Sequence, residues 1–180
     1  MKGNKVDYFI ETLKNFKTVG TITFSSKFLV KKMISPIDFN DAQCIVELGA
    51  GDGCITKGLL EKMTPNAKLL SFEVNKRFCE ILNEEVKDDR LILINDSAEK
   101  IDHYIEQTGS KKADYIVSTV PLVVLPDEIA RNIVAAAIES LKPDGLFIQL
   151  SYSPLQLKKF ERQFDAVNMK ITPLNLPPAF

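Results

Sequence analysis

Apolar residues recur along this chain in two alternating patterns, short continuous runs and longer stretches spaced three and four residues apart. The runs predict strands and the spaced stretches predict amphipathic helices. The predicted strands cover residues 43–48, 68–73, 90–95, 113–119, 146–152 and 167–172. The predicted helices cover residues 53–63, 75–87, 98–108, 126–142 and 154–164. Strands separated by helices of this length indicate an α/β fold with three layers, a mostly parallel sheet covered by helices on both faces.

The start of the chain differs from the rest in pattern and charge. The spacing predicts an amphipathic helix over 6–16, a loop over 18–26 and a short helix over 28–33. Residues 1–33 hold seven lysines against Asp7 and Glu11, which gives this segment a net charge of +5. Because the whole chain has a net charge of −1, residues 34–180 carry a net charge of −6. A basic amphipathic segment favours contact with an anionic surface, although its apolar stripe would equally suit packing on the sheet. We expect a helical cap or membrane-contact segment over 1–35 and a sheet domain over 36–180.

The most informative motif is the loop after the first predicted strand, which reads Val46-Glu47-Leu48-Gly49-Ala50-Gly51-Asp52-Gly53. A glycine-rich loop between strand and helix is a candidate nucleotide site, because glycine adopts positive φ and lets a ligand approach closely. Glu47 and Asp52 would repel a pyrophosphate and attract the ammonium and sulfonium of S-adenosylmethionine (SAM). The dinucleotide pattern also fails, since its third glycine would fall at Cys54. A sharp turn without a ligand is the simpler alternative.

Polar residues follow the next two predicted strands, at the edge where open parallel sheets bind ligands. Glu73 can accept hydrogen bonds from the two hydroxyls of a ribose, or it can cap the following helix. Asp96 can accept from an adenine amino group and Ser97 can donate to a ring nitrogen, but both also suit a helix N-cap. The sequence leaves these alternatives open.

The fourth and fifth predicted strands end at the same edge. The fourth runs into Ser118 and then Pro121, a proline that fixes the backbone where a transferred group would lie, unless this is a plain loop. The fifth ends at Tyr152, which offers a ring face and a hydroxyl to the site or is a half-buried core tyrosine.

Composition narrows the class of protein. A length of 180 residues fits one domain with a single core, and a net charge of −1 argues against a protein built chiefly to bind nucleic acid. Three cysteines and one histidine lack metal-ligand spacing, so we expect no metal site. The odd cysteine count and the absence of a signal sequence favour a reducing cytoplasm, and no apolar run is long enough to span a bilayer.

With these motifs the chain resembles the class I SAM-dependent methyltransferases. The matching residues are 46–53, Glu73 and 95–98, within a fold over about 40–172. The resemblance implies a Rossmann-like sheet and SAM as the methyl donor. It also implies cofactor-binding roles for Glu47, Gly49, Ala50, Gly51, Glu73, Val74, Asp96, Ser97 and Ser118, with Thr18 and Gly20 in a loop that covers the cofactor.

Within this class the chain is similar to small bacterial phospholipid N-methyltransferases, which are themselves similar to ribosomal RNA adenine dimethylases. The similar segments are residues 16–20, 25–29, 118–122 and 149–152. The resemblance implies methyl transfer to the amine of phosphatidylethanolamine by a cytoplasmic protein at the inner membrane surface.

Two departures limit the resemblance. The adenine dimethylases carry an Asn-Leu-Pro-aromatic motif where this chain has Thr119, Val120, Pro121 and Leu122, so the amide and the stacking ring for a flipped base are missing. No helical RNA-binding domain follows the sixth predicted strand either, which disfavours a nucleic acid substrate. The family's seventh strand would begin near residues 177–180, so we expect it to be missing or cut short.

Methyl transfer to an amine is an in-line displacement that depends mainly on positioning. We expect Pro121 to shape the site, and Tyr152 and Asp52 are the candidate bases beside water. Three functions stay open: a lipid N-methyltransferase, a methyltransferase for another acceptor (a small soluble molecule, or rRNA adenine as in the adenine dimethylases), and a non-catalytic SAM-binding protein.

Overall fold

The computed structural model describes residues 27–151, 153 and 157–170. The described helices are α1 (Lys27–Ile34), α2 (Cys54–Lys62), α3 (Lys76–Glu85), α4 (Ile101–Gln107), α5 (Asp127–Ser140) and α6 (Leu157–Phe160), with a 3₁₀ turn over Ala98–Lys100. The described strands are β1 (Cys44–Leu48), β2 (Lys68–Phe72), β3 (Leu91–Ile94), β4 (Ala113–Ser118) and β5 (Leu141–Gln149). The helix expected over 6–16, the loop over 18–26 and Tyr152 lie outside the described residues.

The five strands form one sheet in the order β3-β2-β1-β4-β5. Every neighbouring pair is parallel, as the helical connections require. The strand order reverses between β1 and β4, and ligands of open α/β sheets bind at such a switch point. The sheet therefore places the glycine loop that leaves β1 at the position where a ligand is expected.

Two apolar layers flank the sheet, one on each face. β1 is buried along its whole length, because its successive side chains point to opposite faces. Val46 and Leu48 pack in the layer that includes α4 and α5, whereas Ile45 packs in the layer that includes α1 and α2. The expected three-layer α/β fold is confirmed.

The fifth strand differs from its prediction of 146–152, since β5 begins at Leu141, directly after α5, and ends at Gln149. The register with β4 shifts between Ala113 and Tyr115, whose partners are Leu141 and Leu146. This irregularity accommodates Pro143, which cannot donate to a regular ladder. The tight approach of the Asp114 carbonyl to Gly145 leaves no space for a side chain there.

The sixth predicted strand, 167–172, is wrong over its described part, because residues 167–170 form no strand. Val167 and Met169 alternate with polar residues as in a strand, but Met169 is 45% exposed. Alternation without burial supplies no driving force for strand formation. The prediction for residues 171–172 and that of a missing seventh strand fall outside the described residues.

Helix α1 is the described part of the expected N-terminal segment 1–35. Its buried residues, Leu29, Met33 and Ile34, pack in the same layer as α2. Gly58 in the middle of α2 faces Val30, and a Cβ at Gly58 would lie 2.5 Å from Val30 Cγ1. The absence of a side chain at Gly58 therefore allows α1 to approach α2. The boundary at residue 35 stays a prediction.

Replacing Gly58 with alanine tests this close approach. Alanine normally favours a helix interior by about 1 kcal/mol over glycine, but here the added methyl overlaps Val30, so we expect Gly58→Ala to lower the free energy of unfolding by about 1–2 kcal/mol. In a Val30→Ala background the overlap is gone and the same substitution should be neutral or stabilising. Urea unfolding of the four proteins measures both effects, and a stabilising Gly58→Ala in the wild-type background would contradict the packing.

Candidate active site

The glycine loop has the backbone conformation that its sequence predicts. Gly49, Gly51 and Gly53 all have positive φ, at 83°, 54° and 76°, a region that side chains disfavour. The amides of Gly49 and Ala50 both donate to the carbonyl of Phe72, at 2.8 and 3.0 Å. The loop therefore turns across the end of β2 before it enters α2.

The three glycines differ in what surrounds them. A Cβ at Gly49 would lie 3.1 Å from Thr119 Oγ1, and a Cβ at Gly53 would overlap Leu82 of α3. Among the residues that the structure describes, a Cβ at Gly51 would meet only the Gly49 carbonyl oxygen, at 3.9 Å. Gly49 and Gly53 are thus required by packing within the protein, whereas Gly51 borders open space that a ligand can use.

Glu73, directly after β2, connects the glycine loop to α3. One carboxylate oxygen accepts a hydrogen bond from the Gly51 amide at 2.8 Å, and the other accepts from the Asn75 amide at 2.8 Å. Asn95, at the end of β3, donates to the Glu73 main-chain carbonyl at 2.8 Å. Glu73 itself is only 7% exposed, so its side chain is held in a fixed position at the carboxyl edge of the sheet.

Glu47 is a fully buried acid in the central strand. Its Oε2 accepts hydrogen bonds from the hydroxyls of Thr56, at 2.7 Å, and Ser71, while its Oε1 is buried without a partner in the described part of the chain. Burial raises the pKa of Glu47 to about 7, although the two hydroxyls lower it, and the nearby Glu73 carboxylate adds to the rise. A buried acceptor of this kind is suited to a cationic or donor group from a ligand.

Asp96 and Ser97 form a separate cluster after β3. Asp96 Oδ2 accepts from Lys100 Nζ at 2.8 Å and from the Tyr104 hydroxyl at 2.9 Å. Burial raises the pKa of Asp96, but the hydrogen bond from Lys100 and those from Ser97 and Tyr104 outweigh it, so the pKa is lowered overall. Ser97 accepts from the Glu99 amide as the N-cap of the 3₁₀ turn. The capping alternative is therefore confirmed for Ser97.

The end of β4 is joined to the glycine loop. The Thr119 amide donates to the Leu48 carbonyl at 2.9 Å, and the Thr119 hydroxyl donates to the Gly49 carbonyl at 2.7 Å. The fully buried Ser118 hydroxyl accepts from the Val120 amide. Pro121 begins the turn that follows, and its carbonyl accepts a hydrogen bond from the Val124 amide at 3.0 Å.

The remaining expected site residues range from exposed to buried, and three of them lie outside the described part of the chain. Asp52 is exposed and accepts from the Cys54 amide at 3.1 Å, at the start of α2. Ala50 is buried in the loop, and Val74 is partly buried against the α4–α5 layer. Tyr152, Thr18 and Gly20 lie outside the described residues.

Sequence reasoning missed the hydroxyl and amide side chains that hold the loop. Thr56 and Ser71 bind Glu47, Thr119 binds the Gly49 carbonyl, and Asn95 binds the Glu73 carbonyl. One signal was available for Ser71, since a polar residue inside an apolar strand needs a hydrogen-bond partner when it is buried. The other contacts join segments that are distant in sequence.

Neither a metal site nor a membrane span is found over 27–151, 153 and 157–170. In that part of the chain, no three His, Cys, Asp or Glu side chains are grouped so that they could hold a metal ion. No helix there has the length and apolar character needed to cross a bilayer.

Replacing Glu47 with glutamine tests the buried acid. Because its folded-state pKa of about 7 exceeds the ordinary 4.5, the stability that protonated Glu47 contributes is complete below pH 4.5 and is lost as the pH rises through 7. We expect Glu47→Gln to gain on the order of 3 kcal/mol of unfolding free energy relative to the wild type between pH 5 and 8. Urea unfolding measures this, with the exposed Glu61→Gln as the control. Parallel pH profiles for Glu47→Gln and the wild type would contradict it.

This chain is similar in sequence to known methyltransferases. The model of the methyltransferase small domain family matches residues 8–172. An ornithine lipid N-methyltransferase of Singulisphaera acidiphila is 29% identical over 178 residues, which cover 96% of this chain and 93% of that protein. The ribosomal RNA small subunit methyltransferase A of Streptococcus pneumoniae is 26% identical over 133 residues, 73% of this chain. The chain spans only 44% of the length of that second relative.

Solved structures show the same fold at low sequence identity. A precorrin-6y C5,15-methyltransferase from Geobacter metallireducens has a TM-score of 0.62 at 15% identity, covering 77% of this chain and 70% of that one. An rRNA methylase from Streptococcus thermophilus has a TM-score of 0.59 at 15% identity, covering 88% of this chain and 94% of that one. The expected class I methyltransferase fold and SAM as methyl donor are confirmed. The chain belongs to the methyltransferase small domain family and is a SAM-dependent methyltransferase.

Proposed function

We propose that SAM binds across the glycine loop, at the carboxyl ends of β1 and β2. The residues there fit the cofactor, which supplies an electrophilic methyl group when bound. The open space at Gly51 suits close approach of the ligand to the backbone. The Oε1 of Glu47, which has no partner within 27–151, 153 and 157–170, suits a donor such as the cofactor ammonium. Glu73 stands at the end of β2, where a carboxylate can accept from ribose hydroxyls.

The adenine end of the cofactor would lie toward β3. Asp96 and Ser97 follow β3, the neighbour of β2, and both are partly exposed. Val74, directly after Glu73, offers a partly buried apolar side chain. The Asp96 carboxylate is kept ionised by Lys100 and Tyr104, which suits acceptance from an adenine amino group. Ser118, Thr18 and Gly20 stay proposed contacts from the sequence alone.

We further propose that the acceptor is a lipid amine. The observation that carries this is the match to an ornithine lipid N-methyltransferase over 93% of that protein's length. The match to the ribosomal RNA enzyme covers less than half of that protein, and Thr119 and Leu122 replace the amide and the ring that would hold a flipped adenine. Phosphatidylethanolamine and ornithine lipid share the required chemistry, a primary amine on a lipid head group.

Peripheral contact with an anionic membrane is part of this proposal. Helix α1 buries its apolar side against α2, but Lys27, Phe28 and Lys31 are exposed. Phe28 is 49% exposed between the two charges. An exposed aromatic ring can enter the head-group region of a membrane, and lysines beside it can contact anionic lipids.

Labelled SAM and mixed vesicles test the lipid acceptor. We expect label in the lipid fraction when vesicles contain an anionic lipid with phosphatidylethanolamine or ornithine lipid, and none in small-subunit ribosomal RNA. The double variant Lys27→Glu/Lys31→Glu should slow transfer about tenfold or more at limiting vesicle concentration, since each lysine near an anionic surface contributes roughly 1 kcal/mol.

The matched control is Lys111→Glu/Lys158→Glu, which changes the net charge equally at exposed positions outside α1. Equal slowing of both double variants would count against membrane contact through α1. Label in RNA and not in lipid would replace the lipid acceptor with a nucleic acid. Label in neither, with SAM binding intact, would favour a small soluble acceptor.

Replacing Gly51 with alanine tests the cofactor site. The added methyl enters the open space beside the loop, so we expect SAM affinity to fall about tenfold or more. Gly109→Ala is the matched control, because Gly109 also has positive φ, at 79°, and a methyl group added there would meet no atom of the described residues within 4 Å. Both variants should lose about 1–2 kcal/mol of unfolding free energy, but only Gly51→Ala should lose affinity in calorimetric titration with SAM. Unchanged affinity in Gly51→Ala would refute the site.

A further inference from the structure

Gln149, the last residue of β5, has an unusual hydrogen-bond inventory. Its Nε2 donates to the Val120 carbonyl at 2.9 Å and to the Leu150 carbonyl. Its Oε1 is buried and has no partner within the described residues. A side-chain amide offers two donors and one acceptor oxygen, so both donors are used and the acceptor is not.

The orientation of this amide follows from its neighbours. Exchanging the nitrogen and the oxygen of Gln149 would place the oxygen against the carbonyl oxygens of Val120 and Leu150, which is repulsive. The two carbonyls therefore fix the amide with Oε1 pointing away from them. A buried acceptor left in this state is destabilising unless a partner arrives.

The position of Gln149 connects it to the cofactor loop. It pairs with Ser118 in the sheet register, so it stands at the carboxyl edge of β5 beside the end of β4. Its contact, Val120, adjoins Thr119, whose hydroxyl binds the Gly49 carbonyl. This edge is where open parallel sheets place their ligands. A donor from the methyl acceptor would supply the partner that Oε1 lacks among the described side chains and backbone.

We propose that Gln149 Oε1 accepts a hydrogen bond from an N–H of the acceptor amine, an inference that rests on the proposed N-methyltransferase function. The neutral amine attacks the methyl carbon with its lone pair, so that an N–C bond forms while the C–S bond breaks and its electron pair stays on sulfur. The resulting ammonium then loses a proton to water. Gln149 does not take this proton; it holds the N–H so that the lone pair is directed toward the methyl group.

The contact depends on the number of N–H groups that the neutral amine carries. A primary amine has two and a monomethylated amine has one, so both can bind Gln149. A dimethylated amine has none when its lone pair is free. Gln149 should therefore assist the first and second methyl transfers and contribute nothing to the third.

Gln149→Leu tests this with vesicles that contain phosphatidylethanolamine or its N-methyl or N,N-dimethyl derivative. We expect kcat/KM to fall about five- to tenfold for the first two lipids, as for the loss of one hydrogen bond, and to stay unchanged for the third. Inhibition by phosphatidylcholine, which has no N–H, should also be unchanged in the variant. Ser140→Ala is the control, because Ser140 Oγ is another buried unpartnered atom among the described residues, located at the opposite end of β5, and its loss should affect no step.

Two results would overturn the amine contact. An equal fall for all three lipids together with weaker phosphatidylcholine inhibition would show that Gln149 acts only by holding the Val120 turn. No fall for any lipid would show that Oε1 meets no substrate atom. A wild-type protein that binds SAM but methylates none of the three lipids would instead refute the proposed function, and the amine contact with it.

Discussion

The hydrogen bonds of one buried carboxylate hold the functional edge of this protein together. Glu47 in β1 accepts from Thr56 in α2 and from Ser71 in β2, so one side chain joins the central strand, its neighbour and the helix that follows the glycine loop. The carboxylate is 0% exposed, and desolvation makes such a group costly unless its partners are in place. The loop between β1 and α2 can therefore take few conformations other than the one observed.

The three glycines of the glycine loop are each required for a different physical reason. Gly49 makes room for Thr119, Gly53 makes room for Leu82, and Gly51 leaves space that no described protein atom fills. Glu73 then fixes the Gly51 amide from the end of β2. Of these three glycines, Gly51 is thus the one that described residues leave open, at the switch point of the sheet, where an open α/β fold is expected to bind its ligand.

The acceptor side is built differently from the cofactor side. Around SAM the proposed contacts come from strand ends that the parallel topology brings together. At the end of β4, the Thr119 hydroxyl binds the Gly49 carbonyl of the glycine loop, and the Gln149 amide of β5 binds the Val120 carbonyl. This second network replaces the amide and ring of the adenine dimethylases with short polar and aliphatic residues. Under the proposed function, such a site recognises its acceptor through the amine, and the exposed residues of α1 contact the membrane.

The sequence by itself determined the alternation of strands and helices, the glycine loop and the acids at the ends of the first two strands. These features depend on local periodicity and on φ preferences, which neighbouring residues decide. Only the tertiary structure decided that β5 begins at Leu141 around a bulge, that residues 167–170 form no strand, and that Ser97 caps a turn. It also decided the partners of Glu47, Gly49 and Gln149. Those contacts join residues up to 70 positions apart in the sequence, and residues so far apart are brought together only by the packing of the whole sheet.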